Sequence, residues 1–359
     1  MRLVSPNVDA STSVLADWLE LQSLLAGTRG ATRSAIESIY RLTVEERNVR
    51  QEADEETNER IDGEISETGR DELILAILEE IEWRQAKLGP AYPFGLHRKQ
   101  TATGVNWVLH GPSGIDSKEH APYLTCLIIV ALRRGLLDHE DASLVTDHRI
   151  GKLFQICACL AVGGYLDGEV VSFGWPRATG NQFFPALRTA WDRVGLYKIV
   201  EEYPAGVPTT LKDGGIDIIA WKDFADGRPA RLIVFCQVAS GDNWVDKSVD
   251  EPSRLLIGSF FVGYRPRAVM SATVIPFVAH EDASNVGVGI KDFVLGRMAY
   301  YEQAHGIILD RIRVAGAAHK ALTRAVVDRP KIDGAERVAE LIEWIAAVLR
   351  TTSTPQVSA

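Results

Sequence analysis

Along the first half of the chain, apolar residues recur every three or four positions. "SVLADWLELQSLLAG", from Ser13 to Gly27, has this spacing and stops on glycine, and "RSAIESIYRL" takes it up again. "RDELILAILEEIEWRQAKLG" predicts a strongly amphipathic helix closed by Gly89. "KEHAPYLTCLIIVALRRGLL" and "ASLVTDHRIGKLFQICACLAVGGYL" are longer and apolar on more sides, which suits helices packed inside a bundle. The span from Pro90 to Ser117 reads as loop-rich, with "GVNWVLHG" as a short strand inside it.

The pattern changes at "SFGWPRATGNQ", Ser172 to Gln182, where Pro, Gly, Thr and Asn cluster as in a linker. "FFPALRTAWDRVGLYKI" then predicts a helix, and "GIDIIAW" and "RLIVFCQVA" predict strands rich in Ile and Val. The polar turn "KDFADGRPA" between them predicts an antiparallel pair. "NWVDKSVDEPSRLLIGSFF" reads as helical material broken at Pro252, and "RAVMSATVIPF" as a third strand. A helix containing "RMAYYEQA", a fourth strand in "HGIILDRIRVAG" and a closing helix in "AERVAELIEWIAAVLRTT" complete the order. The expected class is α/β, with a mainly α-helical domain over 1–171, an α/β domain over 172–351 and a flexible tail over 352–359.

Charge qualifies this picture. The net charge of −9 argues against a nucleic-acid binder, but the segment from Glu45 to Glu82 holds fifteen acidic and four basic residues, a net −11. The remainder is therefore near +2, which removes the objection without supplying a basic patch. The acidic block reads as a solvated helix surface, or less simply as an element covering a DNA groove until displaced. The four cysteines, Cys126, Cys157, Cys159 and Cys236, all lie in apolar segments and form no paired ligand motif, so buried free thiols in a reducing cytoplasm are expected. No apolar run approaches the roughly 18 residues of a spanning helix. The start, "MRLVSPNVDASTSV", lacks the features of a secretory signal. Neither a membrane nor zinc is expected.

Two residues break the apolar pattern of the paired strands. Alternation puts Asp217, Ile219 and Trp221 on one face of the first strand and Ile218, Ala220 and Lys222 on the other. On the second, Ile233, Phe235, Gln237 and Ala239 face away from Val234 and Cys236. Asp217 and Gln237 are the polar exceptions. An uncompensated polar group in such a place costs roughly 1–3 kcal/mol, so each needs a partner. A hard cation held by a carboxylate and an amide oxygen satisfies both, and Mg²⁺ takes oxygen ligands while retaining water.

Gly215-Ile216-Asp217, the short strand pair and the glutamine ending the second strand resemble the PD-(D/E)XK nuclease superfamily. The likeness is greatest to Mrr-type restriction nucleases, whose signature runs roughly G-I-D…Q-x-K. The helix over "FFPALRTAWDRVG" fits that family's order of helix, then site, and the resemblance spans about Gln182 to Pro276. It implies a restriction-endonuclease-like core and a metal-dependent endonuclease that hydrolyses DNA, acting in bacterial defence against foreign DNA. It also implies Mg²⁺ (or Mn²⁺) as cofactor, Asp217 as the metal carboxylate and Gln237 as the second strand ligand. Ala239 stands where the family has lysine. Lys222 is directed away by strand parity, whereas Lys247, read as lying in the first turns of a helix capped by Ser240 or Asp242, is placed to reach back. The acidic residue of the family's preceding helix is also missing at Phe184-Pro185, with Glu201 and Glu202 as substitutes. The competing expectation is a nuclease-like binding or assembly module that has lost catalysis.

Three arginines complete the candidate set. Arg311 and Arg313 fall on one face of the expected fourth strand, where they either grip phosphates or pair with carboxylates. Trp175 and Arg177 sit in the linker, suited to nucleic-acid contact or to packing. "HGPSG" lacks the GK[ST] ending of a phosphate loop. No base-reading motif separates DNA from RNA as substrate. The near-neutral second half implies help from a protein partner or a homo-oligomer.

Overall fold

In the computed structural model the described residues are 1–7, 9–39, 67–101, 104–174, 177, 182–228, 231–279, 290–325 and 330–350. Most of the acidic block, Trp175 and the tail over 352–359 lie outside them. Helix α1 spans Thr12–Ala26 and α2 spans Glu67–Leu88. Strands β1 (Gly95–Thr101) and β2 (Gly104–His110) form a hairpin, with Ala31–Thr32 pairing on the other side of β2. Helices α3 (Ala121–Arg133) and α4 (Asp147–Leu166) follow. After them come strand β3 (Glu169–Ser172), helix α5 (Phe183–Val194) and the strands β4 (Ile218–Lys222) and β5 (Leu232–Val238). The remainder is helix α6 (Asp250–Phe260), strand β6 (Val269–Val274), helix α7 (Ile290–His305), strand β7 (Ile307–Leu309) and helices α8 (Arg311–Thr323) and α9 (Val338–Arg350).

The fold is mixed α/β around one five-stranded sheet, ordered β7-β6-β5-β4-β3. β4 runs antiparallel to β5, from Ile218 opposite Cys236 to Lys222 opposite Leu232, as the polar turn between them requires. β5, β6 and β7 are parallel, joined through α6 and α7. Ile218, Ala220, Val234 and Cys236 face the core shared with α4 and α8, whereas Ile219, Trp221, Ile233 and Phe235 face Leu187, Trp191, Leu256 and Phe260 of α5 and α6. Alternation thus buries both faces of the same two strands.

The core does not divide at 171/172. One apolar cluster runs from Met1 to Val348, and β3, counted with the first half by its sequence, is an edge of the main sheet. The ionic contacts cross the same line. The Arg84 guanidinium is fully buried and meets Asp17 at 2.6 Å, Glu80 at 2.7 Å and Glu20 at 3.0 Å. Arg311, equally buried, donates to both Asp17 oxygens at 2.6 and 2.8 Å and to the Pro276 carbonyl at 3.0 Å. Glu80 belongs to the acidic block yet lies wholly in this network, so that part of the block is not a solvated surface.

Several local expectations are corrected. The segment "DRIRVAG" is helical, because Asp310 ends β7 and caps α8 by accepting the Arg313 N–H at 3.1 Å. Arg311 is therefore a buried ion-pair residue and cannot grip a phosphate. Arg313 is occupied by the Ile308 carbonyl at 2.7 Å. Pro252 does not break a helix but lies in the first turn of α6, where a missing N–H is tolerated. The loop-rich span contains two paired strands rather than one. The four cysteines are free and buried. Within Ala142–Leu166 one window is long and apolar enough to cross a membrane, contrary to the sequence reading, and 67% of that window is buried inside the protein.

Removing one partner of a buried ion pair leaves a charge without compensation, at about 3–5 kcal/mol. Arg311→Ala is expected to lower unfolding stability by about that amount in urea titrations, or to prevent folding. A loss below about 1 kcal/mol, the scale of a surface pair, would show that the network does not join the two halves.

Candidate active site

The site begins with a turn. Gly214 and Gly215 have φ of 66° and 78°, and the Gly215 N–H closes onto Asp213 Oδ1 at 2.9 Å. A Cβ on Gly215 would come within 2.9 Å of the Pro252 ring, so the approach of α6 also requires glycine there. The turn delivers Asp217 to the head of β4. The Asp217 N–H donates to the Cys236 carbonyl at 2.8 Å. Its own carbonyl accepts from Phe173 N, Gly174 N and Gln155 Nε2, each at 2.8 Å. The backbone is fixed from both neighbouring strands and from α4.

The side chain reaches toward β5. Asp217 Oδ2 accepts from the Val238 N–H at 2.8 Å and from Gln237 Nε2 at 2.5 Å. Burial pushes the carboxyl up to about 7, with the nearby Asp213 charge acting in the same sense. The Val238 N–H, the Lys247 ammonium and the Gln237 amide act against that rise. Gly174 keeps the second oxygen approachable: a Cβ there would lie 2.8 Å from Asp217 Oδ1.

This carboxyl lies on the wall of a cleft of about 620 Å³ at the strand ends, between the start of α4, the segment after β3 and the segment before α9. In open α/β sheets such crevices at the carboxyl ends of strands are the usual ligand sites. Arg177 lines the cleft, stacked 4.4 Å from the Phe173 ring centre and donating to the Lys212 carbonyl at 2.5 Å. Burial lowers its guanidinium's pKa, while Asp213 and Asp217 act to raise it. His148, Lys152, Glu336 and Arg337 also face the cleft, so its charge is mixed rather than basic.

No protein-family model, curated protein or solved structure matches this chain. Asp217 and Gln237 are in contact, and Arg177 and Lys247 act electrostatically on or beside Asp217. Lys247 is exposed and ends a short 3-10 turn over Asp242–Asp246 that has no side-chain cap, so it does not lie in the expected helix. Lys222 pairs with Asp167 at 2.6 Å at the far end of β4. Glu201 and Glu202 are exposed in a bend and are not among the residues lining the cleft. Ala239 is 1% exposed and packs with Val130, Ile275, Phe277 and Ile308, surroundings that would bury a lysine's charge in hydrocarbon.

Gln155 was missed by sequence reasoning. It donates to the Asp217 carbonyl and, at 3.2 Å, to Ser172 Oγ. The signal was present, because Gln155 is the one amide in the apolar run "LFQICACLAV".

The residues fit a hard divalent ion to a limited extent. Among the described residues no three His, Cys, Asp or Glu side chains gather as a metal cluster. An ion here would draw on Asp217, on Gln237 through its amide oxygen, and on water, the mixture that Mg²⁺ tolerates. Gln237 now presents nitrogen to Asp217, so its amide has to turn over to offer oxygen.

The raised carboxyl pKa has a testable consequence in metal-free buffer. The ordinary Asp value is 3.8 and the folded value about 7, so the folded state holds the proton more tightly. This residue's contribution to stability therefore falls as pH rises from 3.8 to about 7 and is level above that. The thermal midpoint of Asp217→Asn minus that of the wild type is expected to widen across this window. Adding Mg²⁺ or Mn²⁺ at pH 8 should raise the midpoint of the wild type and not of the variant. Parallel pH profiles, or equal metal responses, would remove Asp217 as the buried titrating ligand.

Proposed function

We propose that the chain is a Mg²⁺- or Mn²⁺-dependent endonuclease that hydrolyses DNA phosphodiester bonds, with a restriction-endonuclease-like core. The observation that carries this reading is the 2.5 Å meeting of the Asp217 carboxylate, which lines a cleft, with the Gln237 amide of the paired strand. The order of helix, antiparallel strand pair and glutamine agrees with the family that the motif resembles. The defence role rests on that resemblance alone.

Each residue has a defined task under this proposal. The Val238 N–H fixes one oxygen of Asp217, while the other lies beside Gly174, a residue of the cleft wall. Gln155 is a positioning residue that holds the Asp217 backbone. A divalent ion, when bound, would polarise the phosphate and make its water more acidic. Lys247, whose charge already acts on Asp217, stabilises negative charge developing at the phosphate. Arg177 meets a neighbouring phosphate oxygen. RNA is the competing substrate within the same chemistry.

One observation favours a second reading. Ala239 is packed into an apolar cluster, as expected of a nuclease-like scaffold that binds or assembles without cutting. Cleavage separates the two readings. Purified full-length protein with Mg²⁺ or Mn²⁺ should nick or linearise plasmid DNA. Asp217→Ala should abolish cutting, and Lys247→Ala should slow it about 100-fold or more, the scale of losing one charge-stabilising group. Intact plasmid with both wild type and Asp217→Ala, with RNA also uncut, would leave the scaffold reading standing.

A further inference from the structure

A second cavity, about 260 Å³, opens beyond the ends of β5 and β6, between the Asp242–Asp246 turn and α7. Its apolar wall is formed by Ile275, Phe277 and Met298 together with Trp244, whose ring meets Tyr301 edge-on at 4.8 Å between centres. Two guanidiniums stand at its rim. Arg297 donates to Tyr301 Oη at 3.0 Å and lies 5.6 Å from that ring's centre, while Arg134 lies 5.7 Å from the centre of Phe277. Asp242 adds one carboxylate. These residues do none of the work assigned to the Asp217 site.

We propose that this cavity binds a nucleotide, with the base against Trp244 and the phosphate on Arg297 and Arg134. Aromatic faces hold bases by stacking whatever their identity, and guanidiniums are suited to phosphate oxygens. The Asp242 carboxylate accepts from an exocyclic amine or a sugar hydroxyl, a contact that a purely anionic ligand could not use. The volume lies just below the roughly 300–1,000 Å³ of sites that bury a drug-sized ligand, so the cavity holds the base and leaves part of the nucleotide in the open mouth. The position at the carboxyl ends of parallel strands is the usual one for such ligands.

The nucleotide has two sources to distinguish, free in solution or unpaired within a strand. The strand source rests on the nuclease reading, and here the geometry adds a link. Trp244 belongs to the turn that ends at Lys247, and the Lys247 N–H donates to the Trp244 carbonyl at 3.1 Å. The cavity and the main chain that carries Lys247 therefore share one turn.

The test measures binding, in EDTA, with full-length protein. Titrations with dAMP and with a short labelled single-stranded DNA are expected to show binding that Trp244→Ala and Arg297→Gln each weaken by about tenfold or more, and titration with adenosine to show weaker binding that Trp244→Ala abolishes. Trp244→Phe should retain most of the affinity, and adenosine should be indifferent to Arg297→Gln. Thermal melts establish that the variants are folded, and the rim variant Arg297→Gln carries the test should Trp244→Ala not fold. Trp244-dependent binding of dAMP identifies a free nucleotide as ligand, and binding of the oligonucleotide alone identifies the strand. Absence of binding by both, or wild-type affinity in both variants, overturns the proposal. Uncut plasmid and uncut RNA with Trp244-dependent binding would remove the nuclease and keep this site. Cut plasmid with Trp244-independent binding would do the reverse.

Discussion

Asp17 lies between two guanidiniums drawn from opposite halves of the chain, Arg84 and Arg311, and the layout of the protein depends on that junction. Burial alone would raise the Asp17 carboxyl, but Arg311 and Arg84 bring it below its ordinary value, so it stays charged. Glu20 moves the other way, pushed up by burial and by the charge of Asp17, and it is held by Tyr92 at 2.6 Å and Tyr123 at 2.9 Å. Such a network stabilises only when each member is satisfied, and here the donors and acceptors are supplied by α1, α2, α3 and α8 together. Its effect reaches the sheet directly. Arg311 opens the helix that follows β7, and its side chain also holds the Pro276 carbonyl just past β6. The ends of the parallel strands, where both cavities open, are fixed by a charge pair that starts in the first helix.

That junction also explains why part of the fold was hidden in the sequence. "IILDRIRVAG" alternates apolar and polar residues as a strand does, and nothing local marks Asp310 as a helix cap until α8 is seen packed on α4. The long helices were legible because their apolar spacing covers many turns. β4 and β5 were legible because both faces are buried and both strands are dense in Ile and Val. β3 was not, since its four residues carry too little pattern, and the division at 171/172 failed with it. A composition shift marks a loop, whereas a domain boundary requires that few contacts cross it, and Asp17 to Arg311 crosses this one.

The polar exceptions were the most readable part of the candidate site. Strand parity marked Asp217 and Gln237 as polar exceptions within their own strands, and the register, Ile218 opposite Cys236, is what brings them to the same face against each other. Parity also put Ala239 on the face of Ile233 and Phe235, and there it failed, because the strand ends at Val238 and Ala239 packs in a separate apolar cluster. Ala239 continues the pairing through its N–H to Val274, so its side chain is committed to the apolar layer under Trp244. A cation needed beside Asp217 must therefore come from outside the sheet. The described structure offers Lys247, which the following turn carries near Asp217, and Arg177, which the segment after β3 carries to the cleft.

The charge in the cleft bears on how a polyanion could enter it. Asp147, Asp217, Asp333 and Glu336 stand against Lys152, Arg177 and Arg337 on the same walls. Affinity for nucleic acid comes mainly from cations that replace counterions on phosphates, and this balance supplies few to spare. Asp333 is already engaged by Arg193 at 2.7 Å and by the Ser172 N–H at 3.0 Å, so its charge is largely met by neighbours. Burial raises the Asp217 carboxyl to about 7, which records the cost of keeping it ionised there. A divalent cation would reverse the sign of the site at the point a phosphate must approach. Cation and polyanion binding should therefore reinforce each other through Asp217, while the mixed charge on the remaining walls limits affinity for either one alone.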